Sequence, residues 1–175
     1  GQRRTRAIIE DSNGWIWVGN SDGVYVFSPD SLQADPQNYL TYNYNNGKLR
    51  SNEIKCIYQD TQNRIWIGSS GGGLSMCIPG TDYHNLTFKH YGTSNGLVND
   101  MVQAIAEDKQ GNLWIATEYG ISRFNPETQA FDNYFFSAYT LGNVYSDNSS
   151  CVSKNGSLLF GTNYGLLVIN PEQMG

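Results

Sequence analysis

The chain has 175 residues, a net charge of −5, nineteen glycines, twelve tyrosines and four tryptophans against five prolines. Scattered basic residues on an acidic chain leave no positive surface to track a phosphate backbone, which argues against nucleic acid as a partner of this segment. No apolar run approaches the ~18 residues of a membrane-spanning helix, and no secretion signal opens the chain, so no membrane contact is expected of this segment.

Nowhere do apolar residues persist at i, i+3, i+4 and i+7, so essentially no helix is expected. Short strands with tight turns suit the composition better. The first strand reads Ala7-Ile8-Ile9-Glu10-Asp11, and a tight turn follows, Ser12-Asn13-Gly14. The second carries Trp15-Ile16-Trp17-Val18-Gly19, and after a polar loop the third runs from Gly23 until Pro29 stops it. A loose polar linker, 30–37, leads to an edge-like strand over 39–42.

The pattern then recurs. Cys56-Ile57-Tyr58-Gln59-Asp60 and Ala104-Ile105-Ala106-Glu107-Asp108 repeat the first strand, Arg64 to Gly68 and Asn112 to Ala116 the second, and Pro79, Pro126 and Pro171 end the third. Trp17, Trp66, Trp114 and Leu159 mark steps of 49, 48 and 45 residues. A steady period in this range indicates an array of one supersecondary unit. The approximate repeats are 5–44, 53–91, 102–136 and 148–175, the last incomplete after its third strand, together making one partial propeller over 1–175.

First strands are apolar at successive positions, whereas fourth strands alternate aromatic and polar residues. Sheets buried on both faces within and half wet at the outer strand are propeller blades. The expected fold is therefore all-β, about four blades of four antiparallel strands forming a partial ring, with Trp17, Trp66, Trp114 and Leu159 packing between blades. Open apolar blade faces would then need either the remaining blades of a larger ring or further copies of the chain.

Asp11, Asp60 and Asp108 each enter a hairpin. They read as turn caps accepting from backbone N–H groups, because no fixed downstream carboxylate completes a calcium cage. Neither metal nor cofactor is implied. Cys56 and Cys77 align with apolar positions and read as buried, and with Cys151 the three show neither metal spacing nor an even disulfide count.

Strand alternation puts the loops 20–22, 69–72, 117–119 and 162–164 on one rim with the long connections 45–52, 92–100 and 137–147. Long loops on a rigid scaffold are where recognition lives. Tyr119 and Tyr164, beside Glu118 and Asn163, together with Asp22, are the candidate ligand residues. They would suit a polar, ring-shaped ligand such as a sugar, and the competing reading has the tyrosines covering an adjacent blade. No catalytic residue is assigned. His84 and His90 read as peripheral surface residues, and no serine or cysteine shows an activating partner.

Asp108-Lys109-Gln110-Gly111-Asn112-Leu113-Trp114-Ile115-Ala116-Thr117-Glu118-Tyr119-Gly120-Ile121 resembles the two-component regulator propeller repeat almost throughout, and Gly96-Leu97-Val98-Asn99-Asp100 resembles that family's link between repeats. Departures are Asn63 for glycine, the extra glycine in Gly71-Gly72-Gly73, and Leu159-Phe160 for Trp-Ile, a variant similar to terminal repeats. The resemblance implies the periplasmic sensor region of a hybrid two-component histidine kinase, built of paired propellers and anchored to the inner membrane, with kinase modules outside this chain. It further implies oligosaccharide ligands. A protein-interaction propeller without a small ligand, or a propeller lyase or lactonase, are the alternatives.

Overall fold

The computed structural model describes residues 4–80, 82–135, 145–162 and 165–175, with side chains described throughout except at 145–149. Four antiparallel sheets follow one another along the chain, each with its strands in sequence order. The first holds β1 (Ala7–Glu10), β2 (Ile16–Asn20), β3 (Gly23–Phe27) and β4 (Leu40–Tyr42). In the second are β5 (Ile54–Gln59), β6 (Ile65–Ser69), β7 (Gly73–Cys77) and β8 (Lys89–Tyr91). The third comprises β9 (Val102–Glu107), β10 (Leu113–Thr117), β11 (Ile121–Asn125) and β12 (Ala130–Tyr134), and the fourth has three strands, β13 (Tyr145–Val152), β14 (Leu158–Thr162) and β15 (Gly165–Ile169).

The turns between first and second strands close as their sequences dictate. Gly14, Asn63, Gly111 and Gly156 take φ of 82°, 66°, 85° and 87°, the left-handed conformation that a three-residue hairpin loop requires. Asparagine tolerates that region better than most side chains, which is why Asn63 serves where the other repeats use glycine.

Successive sheets bury one another. Trp17, Val24 and Val26 of the first pack with Ile54, Ile57, Ile65 and Ile67 of the second. Trp66 and Leu74 of the second meet Val102, Ile105, Leu113 and Ile115 of the third, and Trp114 with Ile121 meets Leu158, Phe160, Leu167 and Ile169 of the fourth. The three indoles are completely buried, each on the face that looks toward the following sheet. Small residues at the ends of the second strands permit the approach. A Cβ on Gly68 would lie 2.5 Å from both Cys56 Sγ and Val102 Cγ1.

The end sheets differ from the inner ones. Ile8 is 61% exposed on the first sheet, and Leu166 and Val168 are 61% and 56% exposed on the fourth. Leu159 stands in register with Cys151 and Val168, on the face that Trp17, Trp66 and Trp114 occupy in their own sheets. It is only half-buried, because that face of the fourth sheet has no following sheet against it. Among the described residues that face meets no second sheet.

Helix is present, contrary to the expectation from periodicity. Pro29–Ala34 form α1 inside the linker after β3, and Tyr83–Asn85, Thr93–Asn95 and Pro171–Gln173 form single 3₁₀ turns. None of the six residues of α1 is buried, so it has no apolar stripe to betray it. Its signal is local: Ser28 Oγ accepts from Ser31 N at 3.0 Å and Pro29 occupies the first helical position. The outer strands β4 and β8 start later than the aromatic alternation suggests. Leu86 instead turns into the seam between the first two sheets, and Tyr39 packs edge-on against Tyr25.

Candidate functional site

Strand alternation separates two rims. On one lie the hairpins between first and second strands, and there each aspartate does more than cap a turn. Asp11 Oδ1 accepts from the N–H groups of Asn13 and Trp15, both at 2.9 Å, and its Oδ2 accepts from the Trp17 indole N–H at 2.8 Å. Asp60 repeats this with Gln62, Arg64 and Trp66 at 2.9, 2.9 and 2.7 Å, and Asp108 with Gln110, Asn112 and Trp114 at 2.9, 2.9 and 2.8 Å. One buried carboxylate thus satisfies two orphan amides of the turn and the polar edge of the seam indole. These oxygens are occupied by donors, the reverse of an ion cage.

Further partners reinforce individual clamps. Arg64 Nε lies 2.6 Å from Asp60 Oδ2, and Tyr83, arriving from the second sheet's outer loop, donates to Asp11 Oδ2 at 2.7 Å. The Tyr83 ring stacks on Trp15 at 3.9 Å, and burial raises its phenol pKa well above the usual range. At the next seam Glu107 accepts from Tyr58 Oη at 3.0 Å, Thr61 N at 3.0 Å and Thr61 Oγ1 at 2.7 Å.

The opposite rim gathers the loops between second and third strands and the connections between sheets. Asn20 Oδ1 accepts from Asp22 N at 2.7 Å, fixing the first of these loops. In the third, Thr117 Oγ1 donates to Gly120 O at 2.8 Å and accepts from Tyr119 N at 3.2 Å, while Glu118 N reaches Met101 O at 3.2 Å. Tyr119 is 62% exposed, so it covers no adjacent blade among the described residues. Asp22 and Glu118 are half-buried on the first and third sheets, with the Ser69–Gly73 loop of the second between them. Asn163 and Tyr164, the remaining candidate ligand residues, lie outside the described residues.

The connections are fastened to the sheets on either side of them. Gly71 and Gly73 N–H groups donate to Asp100 O, both at 3.0 Å, and Thr93 N donates to Asp100 Oδ1 at 3.0 Å. Arg6 bridges to Glu53 at 2.6 Å. Val98 N donates to Ser122 Oγ at 2.9 Å, Ser122 Oγ donates to Asn133 Oδ1 at 2.6 Å, and Asn133 Nδ2 donates to Gly96 O at 2.9 Å. In the second sheet, Ser75 Oγ and His90 Nδ1 are 2.7 Å apart.

His90 is therefore half-buried and bonded to Ser75, which corrects its reading as a surface residue. His84 is exposed as expected. The Ser75–His90 pair is a serine-histidine contact that sequence spacing did not reveal, since it joins neighbouring strands in register. Ser75 is buried, which bars a substrate from its hydroxyl and makes the pair a structural tie.

Cys56 and Cys77 are buried, and burial followed by the nearby Asp11 pushes the Cys77 thiol up to about 12. Cys151 is exposed on the open face of the fourth sheet.

The sequence profile of the two component regulator propeller matches residues 1–22, 48–71 and 96–119, in each case the first two strands and the loop after them. Histidine kinase P4 of Formosa agariphila is 23% identical over 171 residues, covering 98% of this chain and 12% of that protein. The extracellular domain of a Bacteroides thetaiotaomicron protein assigned as a hybrid two component system superposes with a TM-score of 0.81 at 29% identity, covering 96% of this chain and 22% of that one. A second extracellular domain from the same organism, assigned to a one component system, superposes at 0.77 with 23% identity over 98% of this chain and 24% of its own. The chain thus spans about an eighth of the curated relative and under a quarter of these solved domains. Three matches one period apart, at 1–22, 48–71 and 96–119, together with four sheets arranged as in the first of those domains, make this chain similar to the two component regulator propeller in both repeat and fold.

Proposed function

We propose that this chain is an arc of the periplasmic sensor propeller of a hybrid two-component histidine kinase. It supplies no enzymatic step itself, and its loop rim takes part in sensing glycan-derived oligosaccharides. The observation that carries the sensor reading is the 29% identity, over 96% of the chain, to an extracellular domain of a protein assigned to such a system. Exposed Tyr119 beside half-buried Glu118, on a loop braced by Thr117, supports a ring-binding surface on that rim. The open faces of the first and fourth sheets are the places where the remaining blades of the parent ring would pack.

Signalling in this reading needs the ligand to favour one arrangement of propellers or subunits over another, since equal affinity shifts nothing. Calorimetric titration of oligosaccharides into the complete ring is the test. Saturable heat that Tyr119→Ala weakens supports the reading. A folded ring that gives no heat with any of a broad oligosaccharide panel overturns the ligand class and leaves a protein-interaction rim.

A further inference from the structure

We propose that the groove beside α1, at the hairpin-rim end of the first sheet, binds a guanidinium group carried on a short apolar stem.

The second and third sheets each keep a cation of their own at this end of the seam. Arg123 stands opposite Trp114 on one side and Asp132 on the other. Its Cζ lies 5.5 Å from the Trp114 ring and 5.6 Å from the Tyr134 ring, and its Nη2 is 3.0 Å from Asp132 Oδ2. In the second sheet Arg64, two residues before Trp66, places its Cζ 5.9 Å from that indole and its Nε 2.6 Å from Asp60 Oδ2. Outer-strand Lys89, opposite Met76, holds its Nζ 5.5 Å from the Tyr91 ring. Ring and cation recur together, as the attraction of a cation for an aromatic face favours, and each arginine has a carboxylate beside it.

The first sheet has no cation at any of these positions. Trp15 takes the place of Arg64, Val26 that of Arg123, and Leu40 that of Lys89. Here a groove of about 280 Å³ is lined by Trp15, Val26, Asp30, Asn38, Leu40 and His84 among others, with no lysine or arginine. The third sheet has a groove in the same place, but Arg123 and Asp132 line it and neutralise each other. Tyr83 covers one face of the Trp15 indole at 3.9 Å, and Trp15, still only half-buried, lines the groove with the rest.

Asp30 supplies the charge. Among the described residues its carboxylate has neither a hydrogen-bond nor an ion-pair partner, unlike those of Asp60 and Asp132. Residues 28–39 join β3 to β4, against 126–129 between β11 and β12, and the added length forms α1, none of whose residues is buried. A helix that serves no core here forms one wall of a cleft. An acid in its first turn suits the helix as well, and the two roles separate on substitution. His84, the basic side chain on the groove, has a carboxylate of its own nearby, Asp82 at 3.8 Å.

Val26 and Leu40 offer an apolar surface to the stem, Trp15 a flat ring to the planar guanidinium, and Asp30 its counter-charge. The groove lies at the opposite end of β3 from the loop rim, so the proposal does not rest on the sensor reading. A free guanidinium compound and an arginine side chain on another chain present the same chemistry, and the test separates them.

That test is an NMR titration of the whole chain with butylguanidinium, read at the indole N–H signals. Trp17, Trp66 and Trp114, whose N–H groups are bonded to aspartates, are the internal references. Expected are a saturable shift of Trp15 with the other three steady, no saturable shift with uncharged butylurea, and binding weakened several-fold in a folded Asp30→Asn. In Leu40→Lys, which copies Lys89, the chain's own ammonium displaces the ligand. Tighter binding of a blocked Gly-Arg-Gly peptide than of butylguanidinium assigns the cation to a protein partner, and equal or weaker binding assigns it to a free small molecule. No saturable shift at Trp15, a common drift of all four indoles, equal affinity for butylurea, or undiminished binding in either variant would each overturn the proposal. Should Leu40→Lys not fold, Asp30→Asn, at an exposed position, decides alone.

Discussion

The first three sheets and the fourth solve the same packing problem with different chemistry. Asp11, Asp60 and Asp108 each hold an indole six residues on. In the fourth sheet Ser153 occupies the aspartate's place, accepting from Ser157 N at 3.2 Å, and Leu159 occupies the tryptophan's. The two changes go together for a physical reason. A carboxylate shielded from water without the indole N–H would lose a partner that offsets its desolvation, and an indole without the carboxylate would bury an unpaired donor. A hydroxyl suffices to cap the turn when the side chain beyond it has no polar edge. Aspartate and tryptophan are therefore one unit, present or absent together.

The strongest way to break this comparison is to remove the ring. Trp66→Ala and Trp114→Ala are each expected to cost about 3 to 5 kcal/mol in denaturant unfolding, because a sealed seam cannot collapse around the void. Leu159→Ala, on the half-open face, should cost about 1 kcal/mol or less. Equal losses at Trp114 and Leu159 would end the distinction between a closed seam and an open face.

Next comes the carboxylate. Asp108→Ala removes a turn cap and leaves the Trp114 N–H unpaired, an expected loss of about 2 to 4 kcal/mol measured in the same way. Importing the fourth sheet's solution sharpens the point. Asp108→Ser combined with Trp114→Leu should cost about 1 kcal/mol less than the two single changes added, whereas strict additivity would show the residues to be independent.

Thiol alkylation of the native chain gives the gentlest contrast. Cys151 should react readily, while Cys56 and Cys77 wait for unfolding, Cys77 because its thiolate is both buried and disfavoured. In a longer chain that carries further blades, Cys151 should become protected if the fourth sheet's open face is covered there.

Much of the architecture is legible in the residues. Recurrence of Trp17, Trp66 and Trp114, the glycine or asparagine before each second strand and the prolines after each third suffice to lay out the sheets in order. The clamp is less visible, since propensity scales treat aspartate and tryptophan separately and neither sees a bond spanning six residues around a turn. Its signal was nonetheless there, in the joint replacement at Ser153 and Leu159. Helix α1 escapes periodicity because it buries nothing. His90 escapes because its meaning depends on cross-strand register with Ser75, which is fixed only once β7 and β8 are paired. On the loop rim, Tyr119 was identifiable as a candidate, but its exposure depends on the brace that Thr117 provides.

Each indole is oriented by an aspartate within its own sheet yet finds its apolar contacts on the sheet that comes after. Assembly accordingly has a direction. Wherever the chain emerges N-terminus first, a finished sheet offers an oriented aromatic surface to the strands that come next, so growth can run by docking onto a face already shaped rather than by waiting for the circle to close.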